Sequence, residues 1–184
     1  MTAIDTKSDE ALLRLIKADS QKALEELFEK YYDRLCDFAF QYVKSIDLSE
    51  EIVSDVFLKI WERRHRLNIS KNLKGYLYTA TRNQALNYLE KQDNELESLT
   101  ENAREIESGK YHPDEELIFK ELENRLEALI NTLPPRRKII FKLSRLEGFT
   151  YKEIAGILSI SIHTVQNQMV AAVKTLSSYT EDDQ

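Results

Sequence analysis

Glycine occurs four times and proline three times in 184 residues, and Cys36 is the single cysteine. So few turn-formers, together with the lack of any long Val/Ile/Thr alternation, exclude a sheet-rich fold and leave helices with short connections. One cysteine excludes an internal disulfide. The first apolar stretch, residues 11–16, is broken by Arg14 and flanked by acids, so it does not read as a signal peptide. No apolar run approaches the length of a membrane span. A reducing, cytoplasmic location is expected. His65, His112 and His163 stand far apart, without Cys or carboxylate at ligand spacing, so no metal and no cofactor is expected. No nucleophile–base pair or phosphate loop is present, which leaves no catalytic residue to name and makes an enzyme the least expected class.

What remains is a chain 42% hydrophobic and 32% charged, able to bury a core. Its net charge of −6 argues at first against a polyanionic partner. The distribution argues otherwise. Residues 1–57 carry 7 Lys/Arg against 13 Asp/Glu, residues 58–92 carry 8 against 2, residues 93–131 carry 4 against 12, and residues 132–176 carry 7 against 2. Two basic blocks separated by an acidic one suggest two polyanion-facing surfaces hidden by the average, although charge blocks can also be solvated helix faces.

Apolar spacing organises the chain into two small helical domains. Ser8 or Asp9 caps a short helix through Lys17, and a longer helix from about Ser20 carries a wide stripe that includes Leu24, Leu27, Tyr31, Leu35 and Tyr42. Ser49 starts the next helix, which runs through Trp61, and residues 62–74 read as a helix end and a basic loop. Asn72 caps a fourth helix over 73–91, with Leu77, Tyr78, Thr81, Ala85, Tyr88 and Leu89 on its apolar face. The acidic stretch 93–112 reads as a flexible linker, and Pro113 restarts a helix to about Asn131. Helices over 135–147, 151–158 and 162–178 complete the second unit. The expected domains are 1–92, a linker at 93–112, and 113–184.

Residues 133–176 have the mechanics of a helix-turn-helix. Gly148 closes one helix and Thr150 caps the next. Ile154, Ala155 and Leu158 face inward, with Ala155 small where the two helices cross. Ser159-Ile160-Ser161 forms the turn, Ser161 caps the second helix, and Val165 and Met169 pack it back. The outward face of that helix holds His163, Thr164, Gln166, Asn167 and Val170, where side chains reach base edges in a major groove. Gln and Asn can pair bidentately with adenine, and Val can touch a thymine methyl. Phosphate contacts would come from Arg136, Arg137, Lys138, Lys142, Arg145, Lys152 and Lys174.

The chain resembles the extracytoplasmic-function (ECF) group of sigma-70 family RNA polymerase sigma factors. The resemblance rests on ALLRLIKADSQKALEELFEKYYDRL, SEEIVSDVFLKIWERR, NLKGYLYTATRNQALNYLEK and the helix-turn-helix stretch, in that order. It implies an all-α protein of two small helical domains, a region 2 bundle and a region 4 helix-turn-helix, joined by the acidic linker. It implies that Asp55, Val56, Leu58, Lys59 and Glu62 dock on the clamp helices of the largest polymerase subunit, with the flap of the second largest as a further contact. Leu58 falls off the inward stripe, as an interface leucine would, though a lone surface leucine does the same. Trp61 and Tyr78 read as core.

The same resemblance places reading of the melted −10 element on the following loop and helix. Arg63, Arg64, Arg66, Lys71 and Lys74 would track the backbone, Tyr76 would stack, and Arg82, Asn83 and Asn87 would supply polar contacts. Reading of the −35 duplex falls to Arg136, Arg137, Lys152, His163, Thr164, Gln166, Asn167, Val170 and Lys174. Many relatives carry Lys or Arg where this chain has Gln166, Gln168, Ala171 and Val173, which predicts a smaller electrostatic share of binding. Core polymerase, promoter DNA and an anti-sigma factor are the implied partners, with no membrane insertion. A stand-alone helix-turn-helix regulator with a helical sensory or dimerisation domain is the alternative, but it leaves the basic block before residue 92 unexplained.

Overall fold

The computed structural model of the protein describes residues 8–69, 72–97 and 126–181, and for 93–97 and 179–181 it describes the backbone alone. Eight helices and no strand occur among the described residues. The chain divides into two compact units, Met1–Gly109 and Lys110–Gln184.

In the first unit, α1 (Asp9–Lys17) begins at Ser8, whose hydroxyl accepts from the Ala11 amide at 3.3 Å. Asp9 and Glu10 in its first turn and Arg14 and Lys17 in its last complement the helix dipole. Ser20 caps α2 (Gln21–Val43) in the same way. The stripe Ala23, Leu27, Tyr31, Leu35, Phe38 is buried, at the three- and four-residue spacing expected of a helix face. Lys44 then turns left-handed (φ 55°), and the chain re-enters a helix at once.

That sharp turn corrects one expectation. Ser45 caps α3 (Ile46–Arg63), and Ser49 does not start it. Ser49 is buried within the helix and donates its hydroxyl to the Ser45 carbonyl at 2.6 Å. The helix also runs two residues past Trp61, to Arg63. As expected, Asn72 caps α4 (Leu73–Glu97), its Oδ1 accepting from the Gly75 amide at 2.7 Å. A Cβ on Gly75 would stand 3.1 Å from the Asn72 carboxamide, so glycine there keeps room for the cap. The helix continues beyond Lys91 through Glu97, into the stretch read as linker. The remainder of that linker, and the helix start at Pro113, lie outside the described residues.

Helices α2, α3 and α4 pack on one another, with α1 lying against α2 and α4. Ile52, Val53, Val56, Phe57 and Ile60 line the inner face of α3, and Leu73, Leu77, Tyr78 and Ala85 that of α4. Phe28 meets Phe57 edge-on at 4.9 Å between ring centroids, and Phe38 meets Tyr78 at 5.0 Å. Burial pushes the Cys36 thiol up to about 12, so it stays neutral and a poor nucleophile. Thr81 is fully buried in this core, and its hydroxyl finds no hydrogen-bond partner among the described residues. Thr81→Val keeps the shape and removes the stranded polar atom. It is expected to stabilise the unit by about 1 kcal/mol, raising its melting temperature by about 4 °C. A lower melting temperature would mean that the hydroxyl is satisfied in solution.

In the second unit the helix described over 126–131 (α5) ends at Asn131, as expected. Pro135 opens α6 (Pro135–Arg145), at the position where its missing N–H costs nothing. This helix stops two residues short of the expected Glu147. Gly148 (φ 70°) makes the turn, and the Phe149 amide reaches back to the Leu143 carbonyl at 3.0 Å. Then follow α7 (Tyr151–Leu158) and α8 (Ile162–Glu181), the latter three residues longer than expected. Ile140, Leu143, Ile154, Val165, Met169 and Ala172 form the core between α6, α7 and α8.

Candidate nucleic-acid interface

The starts of α7 and α8, and the turn between them, are built by capping. Thr150 and Glu153 form a reciprocal box: the Thr150 amide donates to Glu153 Oε2 at 2.8 Å and the Glu153 amide to Thr150 Oγ1 at 3.3 Å. Ser159 ends α7 left-handed (φ 51°), which lets the Ile160 amide bond the Ala155 carbonyl at 3.0 Å. Ser161 Oγ then accepts from the Thr164 amide at 3.0 Å and starts α8. Thr150→Ala removes half of the box and should cost the second unit about 1 kcal/mol, read as a lower denaturant midpoint at unchanged slope. An unchanged midpoint would show that packing alone holds α7.

With Val165, Met169 and Ala172 buried, α8 turns a defined face outward. His163, Gln166 and Asn167 are exposed there, and Val170 is 71% exposed. Asn167 Nδ2 lies 3.2 Å from His163 Nε2, one turn away. Thr164 is half-buried and shares its hydroxyl with Ser161 at 2.8 Å, so it serves the cap as well as the outer face. Arg136, Lys152 and Lys174 are exposed, as a phosphate track requires. Arg137 is placed differently. It is half-buried and donates to Gln168 Oε1 at 3.4 Å and Thr175 Oγ1 at 3.3 Å, tying α6 to α8. The same bond turns Gln168 toward α6, away from the reading face.

In the first unit, the loop between α3 and α4 borders an open cleft of about 730 Å³ lined by Arg63, Arg66, Leu67, Asn68, Ile69, Asn72 and Tyr76. Two guanidinium groups, an aromatic ring and two carboxamides in one concavity suit an unpaired base and its phosphate. Of the expected track residues, Arg63 and Arg66 are exposed and line this cleft, Lys74 is half-buried and is not among its lining residues, and Lys71 lies outside the described residues. Arg64 is a correction. It stacks over Trp61 at 4.2 Å and donates to Asp19 Oδ1 at 2.5 Å and to the Trp61 carbonyl at 2.7 Å, anchoring the end of α3 to the turn after α1. The Arg64 hydrogen bond holds the Asp19 carboxyl below the usual carboxylate range. Trp61 is accordingly half-buried under Arg64, and Tyr78 is core as expected. Sequence spacing does not single out Leu67, Asn68 and Ile69, because an aperiodic loop gives no clue to which of its residues line a cavity. Asn83 and Asn87 are both exposed on α4, one turn apart, and Arg82 is half-buried with a bond to Asn83 Oδ1 at 3.3 Å.

The outer face of α3 carries the remaining candidates. Leu58 is 54% exposed, and Lys59 and Glu62 are exposed beside it. Asp55 is half-buried. Val56 is a correction: at 3% exposure it faces the core, because the inward stripe of α3 passes through Val53, Val56 and Ile60. Among the described residues no group of His, Cys, Asp and Glu could hold a metal ion, and no helix is long and apolar enough to cross a membrane.

Two family models match this chain. Sigma-70 region 2 matches residues 27–95 and Sigma-70, region 4 matches residues 123–176, together about two-thirds of the chain. The chain is similar to the ECF RNA polymerase sigma-E factor of Haemophilus influenzae, 27% identical over 173 residues that cover 90% of this chain and 91% of the relative. It is also similar to the ECF RNA polymerase sigma-E factor of Escherichia coli K12, 24% identical over 179 residues and 93% of each chain. Its fold is similar to that of RpoE, solved in complex with the anti-sigma factor NepR from Bartonella quintana, with a TM-score of 0.64, 23% identity, and coverage of 89% of this chain and 99% of that one. CnrH, solved in complex with the cytosolic domain of CnrY, aligns with a TM-score of 0.59 at 16% identity over 97% of this chain and 100% of that one. With both family regions in order, one on each helical unit, the chain belongs to the sigma-70 family of RNA polymerase sigma factors, in its extracytoplasmic-function group.

Proposed function

We propose that this sigma factor works as a two-handed grip that is effective only when core RNA polymerase holds both units on one promoter. The outer face of α3, with Leu58 at its centre and Asp55, Lys59 and Glu62 around it, docks on the clamp helices of the largest subunit. The second unit meets the flap of the second largest. The cleft at Arg63, Arg66, Asn68 and Tyr76, with Asn83 and Asn87 on α4, takes the unpaired −10 bases. Gln166 and Asn167 on α8 read the −35 duplex, while Arg136, Lys152 and Lys174 hold phosphates.

The observation that carries this reading is the chemistry of α8. Its reading face presents amides and valine but no Lys or Arg before Lys174. Phosphate neutralisation supplies most non-specific affinity, so a face this poor in charge holds duplex weakly by itself and needs a second contact. The cleft in the first unit provides one. The chain performs no chemistry of its own in this account; it acts in the cytoplasm, where core polymerase is, and an anti-sigma partner would hold it inactive by covering these faces.

Core polymerase supplied with the full chain is expected to give discrete transcripts from chromosomal fragments, and core alone none. A chain that fails to co-purify with core polymerase would overturn the reading. Tight, specific binding of a duplex site without polymerase would favour a stand-alone regulator instead.

A further inference from the structure

Gln84 lies on α4 between Asn83 and Asn87, and its side chain turns the other way, toward α3. Its carboxamide oxygen accepts from Lys59 Nζ at 2.5 Å, and its nitrogen donates to Asp55 Oδ2 at 2.9 Å. Gln84 and Asp55 are half-buried and Lys59 is exposed, so the bridge runs from the α3–α4 contact out to its rim. Asp55 and Lys59 sit one turn apart on α3, beside the exposed Leu58.

The chemistry of the bridge is restrictive. One side chain must accept from an ammonium and donate to a carboxylate at once, which an uncharged amide does. Glutamate would repel Asp55, lysine would repel Lys59, and leucine would fill the space while leaving both charged chains to wander. Lysine in particular loses much rotamer freedom when it docks, so fixing it beforehand lowers the cost of association.

We propose that Gln84 is a positioning residue for polymerase docking: it holds Asp55 and Lys59 at a set spacing beside Leu58, presenting a preformed acid, base and apolar anchor to the partner. The partner surface this fits has an apolar socket with a cation facing Asp55 and an anion facing Lys59. Because Gln84 belongs to the helix that carries Asn83 and Asn87, the bridge also fixes the docking face relative to the promoter-reading face of the same unit. The proposal rests on the docking role given above to α3.

The test uses the full chain and purified core RNA polymerase, with affinity measured by titration and stability by thermal melting. Gln84→Leu is expected to weaken core binding by about tenfold, with the melting temperature within about 2 °C of the parent. Gln84→Glu, nearly the same shape, is expected to weaken it as well; should Gln84→Leu melt early, Gln84→Glu decides. In a chain that already carries Asp55→Ala and Lys59→Ala, Gln84→Leu should change affinity by less than about twofold, since the residue acts through those two. Affinity unchanged by either Gln84 variant, or an equal loss in the background lacking the pair, overturns the proposal while leaving the docking reading intact. A parent chain that does not bind core at all overturns both.

Discussion

Leu58→Asp is expected to weaken binding to core RNA polymerase by about a hundredfold and to leave the fold intact. The side chain is 54% exposed, while its neighbours Val56, Phe57 and Ile60 fill the core, so the first unit does not depend on it. Exposed substitutions of this kind move stability by no more than about 0.5 kcal/mol. A central apolar anchor, by contrast, carries about 2–4 kcal/mol of an interface, and a carboxylate forced into its socket adds the cost of desolvating a charge. Affinity and melting temperature measured on one preparation separate the two effects. If the variant binds core as well as its parent, the docking face lies elsewhere. If it melts several degrees early, Leu58 belongs to the fold.

The paired change Gln166→Ala and Asn167→Ala should lower initiation by about ten- to a hundredfold at promoters that rely on the upstream duplex element. Each amide that pairs with a base edge contributes about 1–3 kcal/mol of discrimination. Both residues are exposed, and α8 is held by Val165, Met169 and Ala172 behind them, so the loss is one of reading and not of folding. In a library with the upstream element randomised, two adjacent positions should become degenerate. Arg136→Gln should act differently, weakening all sequences alike, because a phosphate contact carries no base information. A base preference that survives the paired change would move the reading face away from these two residues.

How much was legible before the structure differed by kind of residue. The bounds of α7 and the caps at Ser8, Asn72, Thr150 and Ser161 came from local chemistry, a small polar side chain ahead of an apolar stripe, and that chemistry is what the structure uses. The cap at Ser45 escaped because Ser49, four residues on, offers the same signal. Only the left-handed turn at Lys44 shows that the earlier serine is free to cap. The reach of α4 to Glu97 is hidden by the loss of apolar spacing after Leu89, since a helix can run on past the stripe that packs it.

Cations were the least legible. Arg63 and Arg64 are adjacent and read alike, yet one lines the cleft and the other is held by Asp19, a residue 45 positions away. Arg136 and Arg137 divide in the same way, with Arg137 bound to α8. Charge in a sequence says that a basic face exists; which guanidinium is free depends on partners distant in the chain. Leu58 could be told from Val56 by helical spacing, which should have removed Val56 from the docking face at once.

The central claim, a grip completed only by polymerase, is tested most directly by mapping transcript 5′ ends made by core polymerase with the chain, with its Leu58→Asp variant, and with neither. The account predicts starts downstream of a shared two-block element with the parent chain, and none with the variant or with core alone. Starts that persist with Leu58→Asp at the parent's level, or duplex binding by the free chain as tight as by the complex, would contradict it.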